Sequence, residues 1–269
     1  MLNNTDKIYF GLLGGLGDII WGYLKSPEWK RLNAYRCAYP KARIKAIVIS
    51  HNRQAAELLR FNPYLDEIDF RYPKREMRDK KWSPVQVLDQ YSDGFIHYKG
   101  LADPKKVDKE QVLHLLPREK KIVKELSDCV VVHPFASLPD RIPSPAEKYI
   151  PIIDDFINKG KKVVVLGNSY TKSFGDYETY QKEEVFDYKR ANLFNLVGKT
   201  NARVATAITL KASEFVGTWS CYGVTAWLAS IKATIITNDS QLNGCNKLHE
   251  SKYKNHHKDD IIVTPKDIF

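Results

Sequence analysis

Nowhere does this chain carry an apolar run approaching the length that crosses a bilayer, so any contact with a membrane would be peripheral and integral membrane association is not expected. Paired cysteines are missing too. Cys37, Cys129, Cys221 and Cys245 stand singly with no C-x-x-C, which argues against a disulfide frame or a zinc site and suits reduced thiols in a cytoplasm. No signal peptide is read, because Met1 to Lys7 is polar and the apolar run from Ile8 to Leu13 is short and soon broken by glycines. Asp154-Asp155 and Asp259-Asp260 are adjacent pairs rather than spaced carboxylates, and no metal is expected. Negative charge is in deficit: 42 Lys and Arg face 32 Asp and Glu, a formal charge of +10. The excess is concentrated in RYPKREMRDKKW, Arg71 to Trp82, and implies an anionic partner unless it is an ordinary solvated face.

With 269 residues and 43% hydrophobic content, the chain can bury one large core or two modest ones. Alternating strand and helix signals favour two. KIYFGLL (Lys7 to Leu13) is a strand, followed by a glycine cluster and a helix from Asp18 to Leu24. ARIKAIVIS (Ala42 to Ser50) is a second strand, Gln54 to Arg60 reads as helix, and DEIDF (Asp66 to Phe70) is a third strand candidate. From Arg71 to about Asp108 the pattern is irregular, with a possible strand at Phe95 to Tyr98. A helix, Arg118 to Ser127, leads into DCVVVHP, a buried strand that opens the second half.

Ser144-Pro145-Ala146-Glu147 has the form of a capping box, although Pro151 must kink or delay the helix that follows. Further strands are read at Lys161 to Ser169, in Ala191 to Thr200, at SEFVG and at ATIIT, with helices after Thr200 as cap and from about Gly223 to Ile231. Beyond Gln241 the tail is polar and basic until DIIVTPKDIF, whose apolar residues predict packing against the body. This is an α/β organisation of two Rossmann-like domains, 1–127 and 128–269, facing a cleft.

The loop GLLGGLGD (Gly11 to Asp18) leaves free amides at a helix start after a first strand, and is a candidate ligand loop through Gly15 and Gly17. It fits the dinucleotide fingerprint poorly, lacking the third glycine and an acidic residue about twenty positions on. An NAD-dependent epimerase or dehydrogenase is therefore disfavoured. Gly198-Lys199-Thr200 is not a P-loop, because the earlier glycine falls on Leu193. Asp18 can cap backbone amides, or act as a general base on an attacking hydroxyl.

GLGD at Gly15 to Asp18 resembles the first-loop motif of the bacterial heptosyltransferases of the lipopolysaccharide core, glycosyltransferases of GT-B fold. The likeness continues in order through NPYLDEI (Asn62 to Ile68), VVVHPFASLPDRIP (Val130 to Pro143), KKVVVLGNS, NLVGKT and SEFVGTWSCYGVTAWLASIKATII. It implies sugar transfer from a nucleotide diphosphate donor, with inversion and without a bound metal or other cofactor. By that resemblance Asp18 would be the catalytic base and Arg141 would stabilise the diphosphate charge. His133, Ser137, Gly167, Asn168 and Ser169 would line the donor side, and the turn Gly217, Thr218, Trp219, Ser220, Cys221, Tyr222 and Gly223 would meet the phosphates. There the family usually has an acidic residue, a small hydroxyl residue, a glycine and later a histidine. Aligning Ser220 turns the glycine into Cys221, aligning Gly223 implies two inserted residues, and the histidine is absent in both registers, so heptose is not assumed.

The bland readings run beside these: His133 as a satisfied core histidine, Arg141 as a partner of Asp140 or Glu147, Trp219 and Tyr222 as core aromatics. Arg71, Lys74, Arg75 and Arg78 would meet an anionic acceptor, either a lipopolysaccharide-like glycolipid or hydroxymethylated DNA of phage type. The expected species is a cytoplasmic monomer or weak dimer that binds a nucleotide sugar. A non-catalytic nucleotide or sugar-phosphate binding protein of the same fold is the alternative.

Overall fold

Strands buried on both faces of a parallel sheet need unbroken apolar runs, and Val130–His133 and Val163–Val165 are such runs, every residue buried. They lie at the centre of the second of two units in the computed structural model, which describes residues 7–25, 29, 32–50, 52–72, 113–135, 145–167, 186–252, 259–263 and 265–268. The two compact units divide between His114 and Leu115. The helix just before Ser127 thus belongs to the second unit. The expected strand at Phe95 to Tyr98 falls outside the described residues.

In the first unit, β1 (Lys7–Leu13), β2 (Arg43–Ile49) and β3 (Glu67–Arg71) form a parallel sheet in the order β1-β2-β3. Helix α1 (Leu16–Lys25) returns from β1, α2 (Leu32–Ala38) follows it, and α3 (Gln54–Glu57) is a single turn. Neither composition nor motif singled out α2, whose buried residues are only Leu32 and Tyr35. Phe10 packs on Trp29 and Tyr35, with ring centroids 5.3 and 5.4 Å apart, so this short segment is held by aromatic contact rather than by its own periodicity. Asp66 at the turn before β3 accepts from the Ile44 amide at 2.6 Å and from Arg36 at 2.5 Å, which fixes the start of that strand.

The second unit begins with α4 (Pro117–Glu125) and continues as β4 (Val130–His133), α5 (Ile150–Asn158), β5 (Val163–Val165), β6 (Leu193–Asn195), α6 (Ala202–Leu210), β7 (Glu214–Thr218), α7 (Cys221–Ala229), β8 (Lys232–Ile236), α8 (Asp239–Lys252) and β9 (Ile261–Val263). Its six parallel strands run in the order β6-β5-β4-β7-β8-β9. This is the doubly wound order, with its switch point between β4 and β7.

Details depart from the sequence reading. Pro151 delays the helix rather than kinking it: a 3₁₀ turn, Ala146–Tyr149, precedes α5, and the proline sits in the first helical turn where its missing N–H is harmless. Asn201, not Thr200, caps α6, its side chain accepting from the Val204 amide at 2.9 Å. Helix α7 starts at Cys221, ahead of Gly223. The tail supplies α8 and a sixth strand, β9, paired in parallel with β8.

Arg203 on α6 is 1% exposed and meets Glu119 on α4 at 2.5 Å. The other Glu119 oxygen accepts the Leu116 amide at 2.8 Å, so one carboxylate both caps α4 and neutralises a buried guanidinium. Burial alone would raise the Glu119 carboxyl, but the Leu116 amide, Arg203 and Asn201 together hold it below the usual range. Glu119→Ala strands a buried cation and is expected to lower the unfolding free energy by about 3–5 kcal/mol in urea titrations. The double variant Glu119→Leu/Arg203→Met should lose much less.

Candidate functional site at the ends of the second sheet

Open α/β sheets bind ligands where strand order reverses, at the carboxyl ends of the strands. Here that place lies between the end of β4, at His133, and the end of β7, at Gly217 and Thr218. Gly217 pairs with His133, and a Cβ added to it would stand 2.4 Å from the His133 carbonyl oxygen, closer than any side chain allows. The neighbouring strands are braced across this junction. His133 Nδ1 lies 2.7 Å from the Leu166 carbonyl after β5, and Thr218 Oγ1 donates to the Phe135 carbonyl at 2.6 Å. The Phe135 ring lies over Gly167.

The Leu166 oxygen can only accept, so Nδ1 of His133 carries the proton and Nε2 is left as an acceptor. The imidazole is buried, 4.8 Å edge-on to Tyr222 and 6.0 Å from Phe135. Burial pushes its pKa down to about 4 against the opposing pull of the Leu166 bond, and the ring is neutral at physiological pH. His133 is thus a satisfied core histidine, placed at the carboxyl end of β4.

Helix α7 rises directly from these strand ends. Ser220 is its N-cap residue in extended conformation, yet its side chain makes no capping bond. Its Oγ is buried and, among the described residues, has no hydrogen-bond partner. Cys221 begins the helix with a thiol that burial pushes up to about 12, so it is not a nucleophile. Tyr222 and Gly223 are buried, as is Thr218. Trp219 is half-buried, and the six-membered edge of its indole lies against Gly244 of α8. Gly167 is also buried. Ser137, Arg141, Asn168 and Ser169 fall outside the described residues.

In the first unit the glycine loop turns from β1 into α1. Gly14 has φ +130, and a Cβ there would lie 2.7 Å from Asp18 Cβ, so only glycine fits. Asp18 is exposed, and its Oδ2 accepts the Gly15 amide at 3.1 Å. That is the capping geometry; among the described residues Oδ1 has no hydrogen bond. Gly17 lies inside the first turn of α1 rather than in the loop. Arg71 is exposed at the end of β3 and forks onto Asp69 at 2.7 and 3.1 Å. Lys74, Arg75 and Arg78 fall outside the described residues. Among the described residues no group of three or more His, Cys, Asp or Glu could hold a metal ion, and no helix is long and apolar enough to cross a membrane.

No protein-family model matches the chain, and no curated protein matches it. Solved structures resemble it over most of their length, two of them as follows. The ADP-heptose LPS heptosyltransferase II of E. coli covers 96% of this chain and 90% of its own, with a TM-score of 0.53 at 13% identity. A glycosyl transferase of family 9 from Veillonella parvula covers 98% and 87%, with a TM-score of 0.51 at 13% identity. The chain has the fold of these glycosyltransferases. At such low identity the backbone path is what is shared, and residues are compared through the strands that carry them.

Sequence reasoning missed Phe135, Leu166 and Gly244, which act through a carbonyl, a carbonyl and an absent side chain. None of these leaves a mark in residue type. His133 gives the second unit a pH signature. In the unfolded chain a histidine takes up a proton below about 6.5, whereas the folded ring resists until about 4. Stability is thus fully present above pH 6.5 and declines as pH falls toward 4. Urea unfolding should show this decline in the native chain and a flatter profile in His133→Gln, whose amide can still donate to Leu166.

Proposed function

We propose that the chain is an inverting, metal-independent glycosyltransferase that moves a sugar from a nucleotide diphosphate donor to a hydroxyl of an anionic acceptor. The observation that carries this reading is the buried Ser220 hydroxyl at the head of α7, without a hydrogen-bond partner among the described residues, over the switch point of a doubly wound sheet. A helix start offers free amides to phosphate, and a buried hydroxyl without a partner is costly until a ligand oxygen satisfies it. The shared fold with the two glycosyltransferases supports the same end of the sheet as the donor side.

In this reading the first unit supplies the base and the second the donor side. The acceptor hydroxyl gives its proton to Asp18 Oδ1 while its oxygen attacks the anomeric carbon from the side opposite the diphosphate. The bond from that carbon to the diphosphate oxygen breaks, and the departing charge is met by the α7 amides, Ser220 and Arg141. His133, neutral and fixed, adds no charge of its own. The chain's excess of 10 positive charges supports an anionic acceptor, a core-like glycan or hydroxymethylated DNA.

A screen of ADP, UDP and GDP should find one that raises the melting temperature. Ser220→Ala should weaken that nucleotide about tenfold or more, the worth of a hydrogen bond to a charged group. Asp18→Asn retains an oxygen for the Gly15 amide, so it should fold and bind as before, yet lose transfer by about 10²–10⁴-fold. A fully active Asp18→Asn would remove the aspartate from the mechanism. Neither hydrolysis nor transfer of any donor, with nucleotide still bound, would favour the non-catalytic reading. Transfer to hydroxymethylated but not plain DNA, with binding that falls steeply in salt, would choose between the acceptors.

A further inference from the structure

Trp219 stands between two residues whose places are fixed. Thr218 before it is fully buried and tied to the Phe135 carbonyl at 2.6 Å, and Ser220 after it is the N-cap residue of α7. The backbone at Trp219 therefore has little freedom. Its side chain is held as well. The benzo edge of the indole rests on α8 where residue 244 has no side chain, 3.8 and 4.0 Å from where a Cβ would be. Gly244 is an exposed glycine in mid-helix, a position that costs about 1 kcal/mol relative to alanine, so the helix tolerates a local penalty where the indole sits. The result is a half-buried aromatic ring seated against α8, one residue before Ser220 and its buried hydroxyl.

We propose that Trp219 is the specificity-determining residue for the transferred group, a platform against which the apolar face of the donor's sugar ring packs. The inference rests on the donor site proposed above. If Ser220 and the α7 amides take the diphosphate, the sugar is bonded directly to that diphosphate and falls beside Trp219, whereas the base is a ribose further away. An indole offers a large apolar face and no carboxylate, so it favours a ring by shape rather than by hydrogen bonds to its hydroxyls. Because the plane is already held by Gly244, little freedom is lost when the sugar arrives.

The test compares matched pairs by calorimetry: ADP with ADP-glucose, UDP with UDP-glucose and GDP with GDP-mannose. For the pair that the native chain binds, Trp219→Ala should weaken the nucleotide sugar about tenfold while leaving the free diphosphate within about twofold. Trp219→Phe should keep most of the difference. Gly244→Leu, which fills the indole's seat, should reproduce Trp219→Ala. Gly244→Ala, whose methyl meets the indole at ordinary contact distance, should bind as the native chain does and melt no lower. Equal weakening of diphosphate and nucleotide sugar in Trp219→Ala would place the indole at the base or the turn and overturn the proposal. So would an unchanged ratio. If no nucleotide binds the native chain, the donor site itself is wrong; if one binds and the ratio does not move, only the role of Trp219 fails.

Discussion

Between β4 and β7 two backbones approach so closely that a single methyl group would lie 2.4 Å from the His133 carbonyl oxygen, and the ligand end of the second unit is built around that approach. Residue 217 must be glycine for the strands to pair in register to their ends. Once they do, the cross-braces from His133 to Leu166 and from Thr218 to Phe135 fall into place without further choice. Three strand ends thus share one rigid surface before any ligand arrives. Preorganised groups of this kind need not be reordered at the moment of binding.

Among the described residues that surface is polar but uncharged. His133 is neutral, the Cys221 proton is held by burial, and Thr218 and Ser220 contribute hydroxyls. Ion pairs lie on other elements, among them Glu119 of α4 with Arg203 of α6, and Lys45 with Glu67 and Asp69 across the first sheet. An uncharged floor has a consequence for an anionic ligand. Its charge is met by oriented dipoles, which do not have to be stripped of counter-charges first, and by whatever cation an adjoining loop brings.

Those parts of the fold that depend on burial were legible in the residues. Val130 to Val132 and Val163 to Val165 announce buried parallel strands because nothing else needs such runs, and the glycine cluster after Leu13 marks the turn into α1. What was not legible depends on partners far along the chain. Helix α2 is held by Phe10, and β9 becomes a strand only because β8 offers it an edge. Asn201 displaced Thr200 as a cap because the helix began one residue later, a matter of register that two good capping residues in a row leave undecided. At the site, residue types suggested His133 and Ser220, but their roles follow from a carbonyl at Leu166 and from a bond Ser220 does not make. Backbone acceptors and empty places carry no signature in a sequence.

In Asp18 the capping bond and the proposed role as base are compatible rather than opposed. A carboxylate at the third position of a helix accepts the amide of the capping residue, and that bond was set against a catalytic role as its plain alternative. Yet a base must hold one orientation to be useful, because a misplaced proton acceptor loses most of its effect. The bond from Gly15 fixes one oxygen, and the positive φ of Gly14 brings the loop so near that the side chain has no room to turn into it. The oxygen that remains is then directed by the cap itself. A glutamate would reach the same amide only by folding back its extra methylene, and the second oxygen would no longer be aimed by the loop. The glycine before the helix and the aspartate within its first turn are for this reason a matched pair, each fixing what the other can be.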